Sequence, residues 1–302
     1  MTHPVQFTGV GPALVTPMTA EGDVDLDAFA SHVEFALEGG VDFLVPCGTT
    51  GESATLNPDE QGRVIRRCVE VAAGQVPVLA GAGSNDTRVA TTLARGAAEA
   101  GAQGLLVVTP YYNKPGLAGL TLHYQSVSEA GLPIILYNVP GRTGSNVGPE
   151  LVLEIAREVP RVVGVKESSG DLDPIMTLVQ SAPPGFQILS GDDHLGLGAF
   201  AVGAHGLISV VANEAPGVVT RMVGAARAGR MEEARELHYR LLPLMRANFI
   251  ESNPGPVKAA LALLGRISDH LRPPLAPVRP ETRDSLRHAL ARLEDLNLQE
   301  IE

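Results

Sequence analysis

Cysteine is scarce in this chain. The two that occur, Cys47 and Cys68, share no C-x-x-C spacing, which excludes a disulfide framework and fits a reducing compartment. Positive charge is also short: 23 Lys and Arg stand against 34 Asp and Glu, a formal net charge of −11. A nucleic-acid partner is therefore not expected, because phosphate binding needs a basic surface. An anionic small substrate stays open, provided that one basic residue sits in a local pocket.

Long uncharged apolar runs are missing too. The most apolar stretch, 195–223, is interrupted by His205, Asn213, Glu214 and Pro216, so it reads as core rather than as a membrane span. The start, Met1 to Phe7, has neither a basic segment nor an apolar one of the signal-peptide kind, and a soluble cytoplasmic protein is expected. There is no low-complexity tract. What is present is a hydrophobic fraction of 44%, enough for a large core, with 19% charged residues, which argues against disorder. A length of 302 residues is ordinary for a barrel enzyme.

Short apolar runs bounded by Gly, Pro or Asn alternate with segments of helical spacing. Strands are expected near 9–15, 42–47, 76–81, 104–109, 133–138, 161–166, 186–190 and 206–211. Helical periodicity covers segments such as Asp25–Glu38, Asp59–Ala73, Arg88–Ala100 and Pro149–Glu158. Eight βα units are the number that closes a (β/α)8 TIM barrel. After about residue 225 only helices are expected, near 231–249, 255–264 and 281–296, with Pro-rich connectors at Asn253–Pro256 and Pro273–Pro280. The expected division is a catalytic barrel over 1–228 and a C-terminal helical region over 229–302.

In such a barrel the reactive groups stand at the C-terminal strand ends. Lys166 closes the run from Arg161, and Tyr137 closes the run from Pro133. Burying a lysine there is costly, which favours its neutral amine, and a neutral amine attacks carbonyls to form a Schiff base. The turn from Gly48 to Gly51 can aim backbone N–H groups and two threonine hydroxyls at a carboxylate or a phosphate. Each feature alone has a plainer reading: a solvated strand-end lysine, a core tyrosine, a tight βα turn, and for Arg142 a surface loop arginine. Their convergence on one barrel mouth favours covalent carbonyl chemistry.

Other motifs are weaker. Gly196-x-Gly198-x-x-Ala201 matches a dinucleotide fingerprint but lacks the rest of a βαβ unit. The histidines show no metal-ligand spacing, Cys47 reads as a buried thiol, and His194 and His205 read as structural or rim residues.

GTTGE (48–52), TPYYNKP (109–115), YNVPGRTG (137–144), GVKESSGD (164–171) and SGDD (190–193) together resemble the dihydrodipicolinate synthase family of pyruvate-dependent class I aldolases. The resemblance runs over essentially the whole chain. It implies that pyruvate and L-aspartate 4-semialdehyde are condensed to 4-hydroxy-tetrahydrodipicolinate, in diaminopimelate and lysine biosynthesis. By motif, Lys166 is the Schiff-base lysine, and Tyr137, Thr49 and Tyr112 form a proton relay in which Tyr112 reaches across to a neighbouring subunit. Thr50, Gly191 and the Ile208 carbonyl line the pyruvate pocket, and Arg142 binds the carboxylate of the aldehyde. The resemblance implies a homotetramer, no metal and no organic cofactor. Related lyases of the superfamily, such as N-acetylneuraminate lyase and 2-keto-3-deoxy-gluconate aldolase, share the lysine and tyrosine, and Arg142 is what favours a carboxylated aldehyde. Relatives inhibited by lysine tend to carry polar groups where this chain has Pro58, Gln61 and Val89, so weak or absent feedback is expected, although Asn85 and Tyr111 remain.

Overall fold

The computed structural model describes residues 5–293 and 296, so residues 294 and 295 of the last expected helix and the first four residues lie outside it. Seven strands form one parallel sheet: β1 (Gly9–Pro12), β2 (Leu79–Gly81), β3 (Gly104–Val108), β4 (Ile134–Asn138), β5 (Val162–Glu167), β6 (Gln187–Ser190) and β7 (Gly206–Ser209). Their order is β1-β7-β6-β5-β4-β3-β2. The two open edges are joined by the segment after Val41. Val45 N donates to Pro12 O at 3.2 Å on one side, and Leu79 N donates to Leu44 O at 2.8 Å on the other.

This segment differs from the full strand expected over 42–47. It contributes only single parallel bridges, Ala13 to Val45 and Leu44 to Val78. Pro12, Pro46 and Pro77 line the two seams, and a proline cannot donate to a ladder. The eighth member therefore closes the barrel through a few discrete bonds.

Side chains alternate across the strands as their period of two requires. Leu106, Ile135, Tyr137, Leu189 and Ile208 share the barrel interior with Phe7 and Phe43, whose rings meet edge to face. Leu105, Val107, Ile134, Leu136 and Val165 point outward into a second cluster shared with the surrounding helices. The helices start where sequence chemistry says they should. Asp25 accepts from Ala28 N at 2.9 Å, and Asn57 with Glu60 forms a reciprocal capping box ahead of Pro58.

Among the described residues, three helices follow the barrel: Met231–Ala247, Gly255–Leu263 and Pro280–Ala291. Leu241, Leu244, Ala259 and Leu286 belong to the same buried cluster as Val10 and Leu44 of the barrel. No helix among the described residues is long and apolar enough to cross a membrane.

Candidate active site

β4 and β5 lie side by side in a register that pairs Tyr137 with Lys166. Both side chains point into the barrel, and Lys166 Nζ sits over the Tyr137 ring, 4.1 Å from its centroid. Lys166 is only 6% exposed, which removes the reading of a solvated strand-end lysine. Close passage of the lysine stem dictates its neighbour on β6's exit. A Cβ at Gly191 would lie 2.5 Å from Lys166 Cε and would also collide with Ser168 Oγ, so any larger residue would displace the lysine stem.

Lys166, Tyr137, Thr49, Thr50, Gly191 and Arg142 all line one small cavity of about 70 Å³. The Thr49–Thr50 turn is tightly wound: Gly51 N donates to Gly48 O at 3.0 Å and Glu52 N to Thr49 O at 3.1 Å. The N–H groups of Thr49 and Thr50 take part in neither bond. Thr50 is buried, and its hydroxyl accepts from Asn253 Nδ2 at 2.9 Å. Arg142, on the short helix Pro140–Thr143, donates to Asn253 O at 3.2 Å.

The strand ends are fixed by buried polar groups. Asn138 Nδ2 donates to the Glu167 carboxylate at 3.0 Å and Asn138 Oδ1 accepts from Val147 N at 3.0 Å. Burial pushes the Glu167 carboxyl up against the opposing pull of its bonds to Asn138 and Ser169. Asp192, in the cavity wall, is likewise raised by burial, against the bond from Gly170 N and the attraction of the nearby His194 and Lys166. Asp193 accepts from both Val210 N and Val211 N at 2.9 Å, tying the exit of β7 to that of β6.

Two of the expected site residues, Ile208 (expected through its carbonyl) and Tyr112 (expected at a neighbouring subunit's site), are not among those lining this cavity. Ile208 is fully buried in the barrel interior alongside Tyr137 and lines neither this cavity nor the next. Tyr112 is 90% exposed, with φ of 72°, and does not reach the lysine of its own chain. Conversely, Asn253 is a site residue that the sequence motifs do not mark. It reads there as part of a Pro-Gly-Pro breaker, yet it touches both Thr50 and Arg142. Its only local signal is a polar side chain directly before the prolines. Cys47, as expected, is buried, and burial pushes its thiol up.

A second cavity of about 360 Å³ adjoins the first and shares Thr49, Val139 and Arg142 with it. Pro58, Gln61, Val89 and Tyr111 converge on its wall beside Ser53 and Ala54. Asn85 follows Ser84 of that wall, and its carbonyl accepts from Asn113 Nδ2 at 2.8 Å.

Comparison with known proteins decides the family. The model of the Dihydrodipicolinate synthetase family matches residues 6–293. The chain belongs to this family. A 4-hydroxy-tetrahydrodipicolinate synthase from Maridesulfovibrio salexigens is 50% identical over 285 residues, covering 94% of this chain and 97% of the relative. A dihydrodipicolinate synthase structure from Thermotoga maritima has a TM-score of 0.91 at 45% identity, covering 94% of this chain and 98% of that one. A structure described as the first monomeric dihydrodipicolinate synthase variant has a TM-score of 0.92 at 44% identity, covering 95% of this chain and 96% of that one. The barrel and its C-terminal helices are those of the family.

Proposed function

We propose that this chain is a 4-hydroxy-tetrahydrodipicolinate synthase, a lyase that condenses pyruvate with L-aspartate 4-semialdehyde in diaminopimelate and lysine biosynthesis. The observation that carries the reading is the Lys166 amine, buried over the Tyr137 ring in a cavity shared with the Thr49–Thr50 turn. That cavity suits a small keto acid, with the turn's amides and the Thr50 hydroxyl facing its carboxylate.

In this reading Lys166 adds to the pyruvate carbonyl and expels water, forming an imine. The imine withdraws electrons, a methyl proton leaves, and the resulting enamine carbon attacks the aldehyde. The amine of the second substrate then closes on the imine carbon and releases Lys166. Tyr137 and Thr49 carry protons through these steps. Arg142, at the junction of the two cavities, supplies a permanently charged planar fork for the aldehyde's carboxylate. It also accounts for how an acidic chain takes anionic substrates.

Tyr112 is assigned to a neighbouring subunit's site, which fits its exposure here. That role needs at least a dimer, and a homotetramer is the assembly we propose. The same reading places the enzyme in the cytoplasm and assigns catalysis to residues 1–228, with 229–302 as a helical region that supplies Asn253.

Turnover of pyruvate with aspartate semialdehyde, measured beside pyruvate with N-acetylmannosamine, tests the proposal. Turnover of the semialdehyde pair alone supports the synthase. Preference for the amino sugar moves the chain to the sugar-acid lyases of the superfamily.

A further inference from the structure

The Thr49–Thr50 turn runs directly into Glu52, whose φ of 56° is left-handed. A residue with a Cβ holds that conformation only when its surroundings fix it. The Glu52 side chain is wholly buried and bound at both oxygens. Lys258 Nζ donates to Oε1 at 2.6 Å, and Arg272 N donates to Oε2 at 3.1 Å. Lys258, also wholly buried, donates to Thr16 O at 2.9 Å, and the Thr16 hydroxyl returns to the turn by donating to Gly51 O at 2.8 Å. The Arg272 side chain is itself immobilised, spanning Gly22 O, Thr55 O and the Glu60 carboxylate.

Lys258 lies on the helix Gly255–Leu263, and Arg272 lies in the connector before the last helix. Two charges taken out of water gain little net stability, because desolvation offsets their attraction. What such a pair does provide is one fixed geometry. Here the fixed object is the turn that lines one cavity with Lys166, and Asn253 of the same C-terminal region holds the Thr50 hydroxyl.

We infer that Glu52 is a positioning residue: held by Lys258 and by the Arg272 backbone, it sets the pose of the Thr49–Thr50 turn against Lys166 and so governs capture of pyruvate. The inference rests on the synthase reading above. It makes the C-terminal helices part of the substrate site rather than an appendage, although neither Lys258 nor Arg272 lines the cavity.

The test compares wild type, Glu52→Gln and the double variant Glu52→Gln/Lys258→Met by melting temperature, by kcat/KM for each substrate, and by borohydride trapping over a pyruvate series. For Glu52→Gln, kcat/KM for pyruvate falls about tenfold or more, while kcat/KM for the aldehyde stays within about threefold. The double variant removes both buried charges, so it regains melting temperature toward wild type yet keeps the pyruvate defect. Recovery of pyruvate kcat/KM in step with melting temperature, or equal losses for both substrates, overturns the positioning role. If wild type is not trapped by pyruvate at all, the synthase reading itself fails. If wild type is trapped and Glu52→Gln reaches half-labelling at the same pyruvate concentration, only the positioning role fails.

Discussion

Lys166 Nζ lies 4.1 Å above the ring of its strand partner Tyr137, so the nucleophile and its proposed proton carrier are fixed by a single register of β4 against β5. The contact separates two jobs of Tyr137: the ring face supports the amine, and the hydroxyl moves protons. Tyr137→Phe keeps the first and removes the second. Steady-state kinetics should show kcat lower by about 10²-fold or more, as loss of a positioned acid–base group requires. Melting temperature should be nearly unchanged. Activity within a few-fold of wild type would remove Tyr137 from the relay.

Arg142 provides the second test. Its fork donates to Asn253 O at 3.2 Å while bordering both cavities. Lysine keeps the charge but loses the planar two-point geometry. Arg142→Lys should therefore cut kcat/KM for aspartate semialdehyde about tenfold or more and spare kcat/KM for pyruvate. Equal loss for both substrates would contradict its assignment to the aldehyde.

The second cavity carries a prediction about regulation. Pro58 and Val89 offer no hydrogen-bonding side chain to a charged amino acid, and Gln61 is turned to structural use, with its Nε2 donating to Ser53 O at 3.1 Å. A lysine titration of the initial rate should show weak inhibition or none. Strong inhibition at physiological lysine would contradict this.

Stability should fall on acidification through two buried histidines. Asn213 Nδ2 donates to Ala13 O and Val210 O, which fixes its Oδ1 as the acceptor facing His32 Nε2 at 2.9 Å. His32 Nε2 is thus the donor in this pair, and burial favours the neutral ring. Burial first, opposed by the Asn213 bond and aided by Arg266, lowers its pKa from 6.5 to about 4, and burial does the same to His123. Between 6.5 and about 4 the unfolded chain binds more protons than the folded one, so stability present above the window is lost as pH falls through it. Each histidine contributes up to about 1.4 kcal/mol per pH unit. The carboxyls that burial raises, Glu167, Asp192, Asp193 and Glu214, act in the opposite sense, so the histidine contribution is read as the difference in urea midpoint between wild type and His32→Gln, which should fall as pH drops across that range. An unchanged slope in the variant would contradict the burial of a neutral His32.

Much of this site is legible in the sequence because a barrel sorts chemistry to the C-terminal strand ends. Lys166, Tyr137, Gly191 and the Thr49–Thr50 turn all occupy such positions, and apolar runs announce each strand. The segment after Val41 is where patterning overreaches, since it shows the apolar residues of a strand while three prolines along its two seams prevent a ladder. Asn253, Lys258 and Arg272 escape for another reason. Their partners lie from 111 residues away (Arg142 from Asn253) to 250 (Gly22 from Arg272), and no local period encodes such contacts. Tyr112 is readable as a motif residue, but its use depends on a second chain.

The most direct test of the central claim is borohydride reduction in the presence of pyruvate, followed by intact mass and peptide mapping. The account predicts one stable adduct of reduced pyruvate per chain, located on Lys166. A folded, untreated-like chain with no adduct, or an adduct on any other lysine, would contradict it.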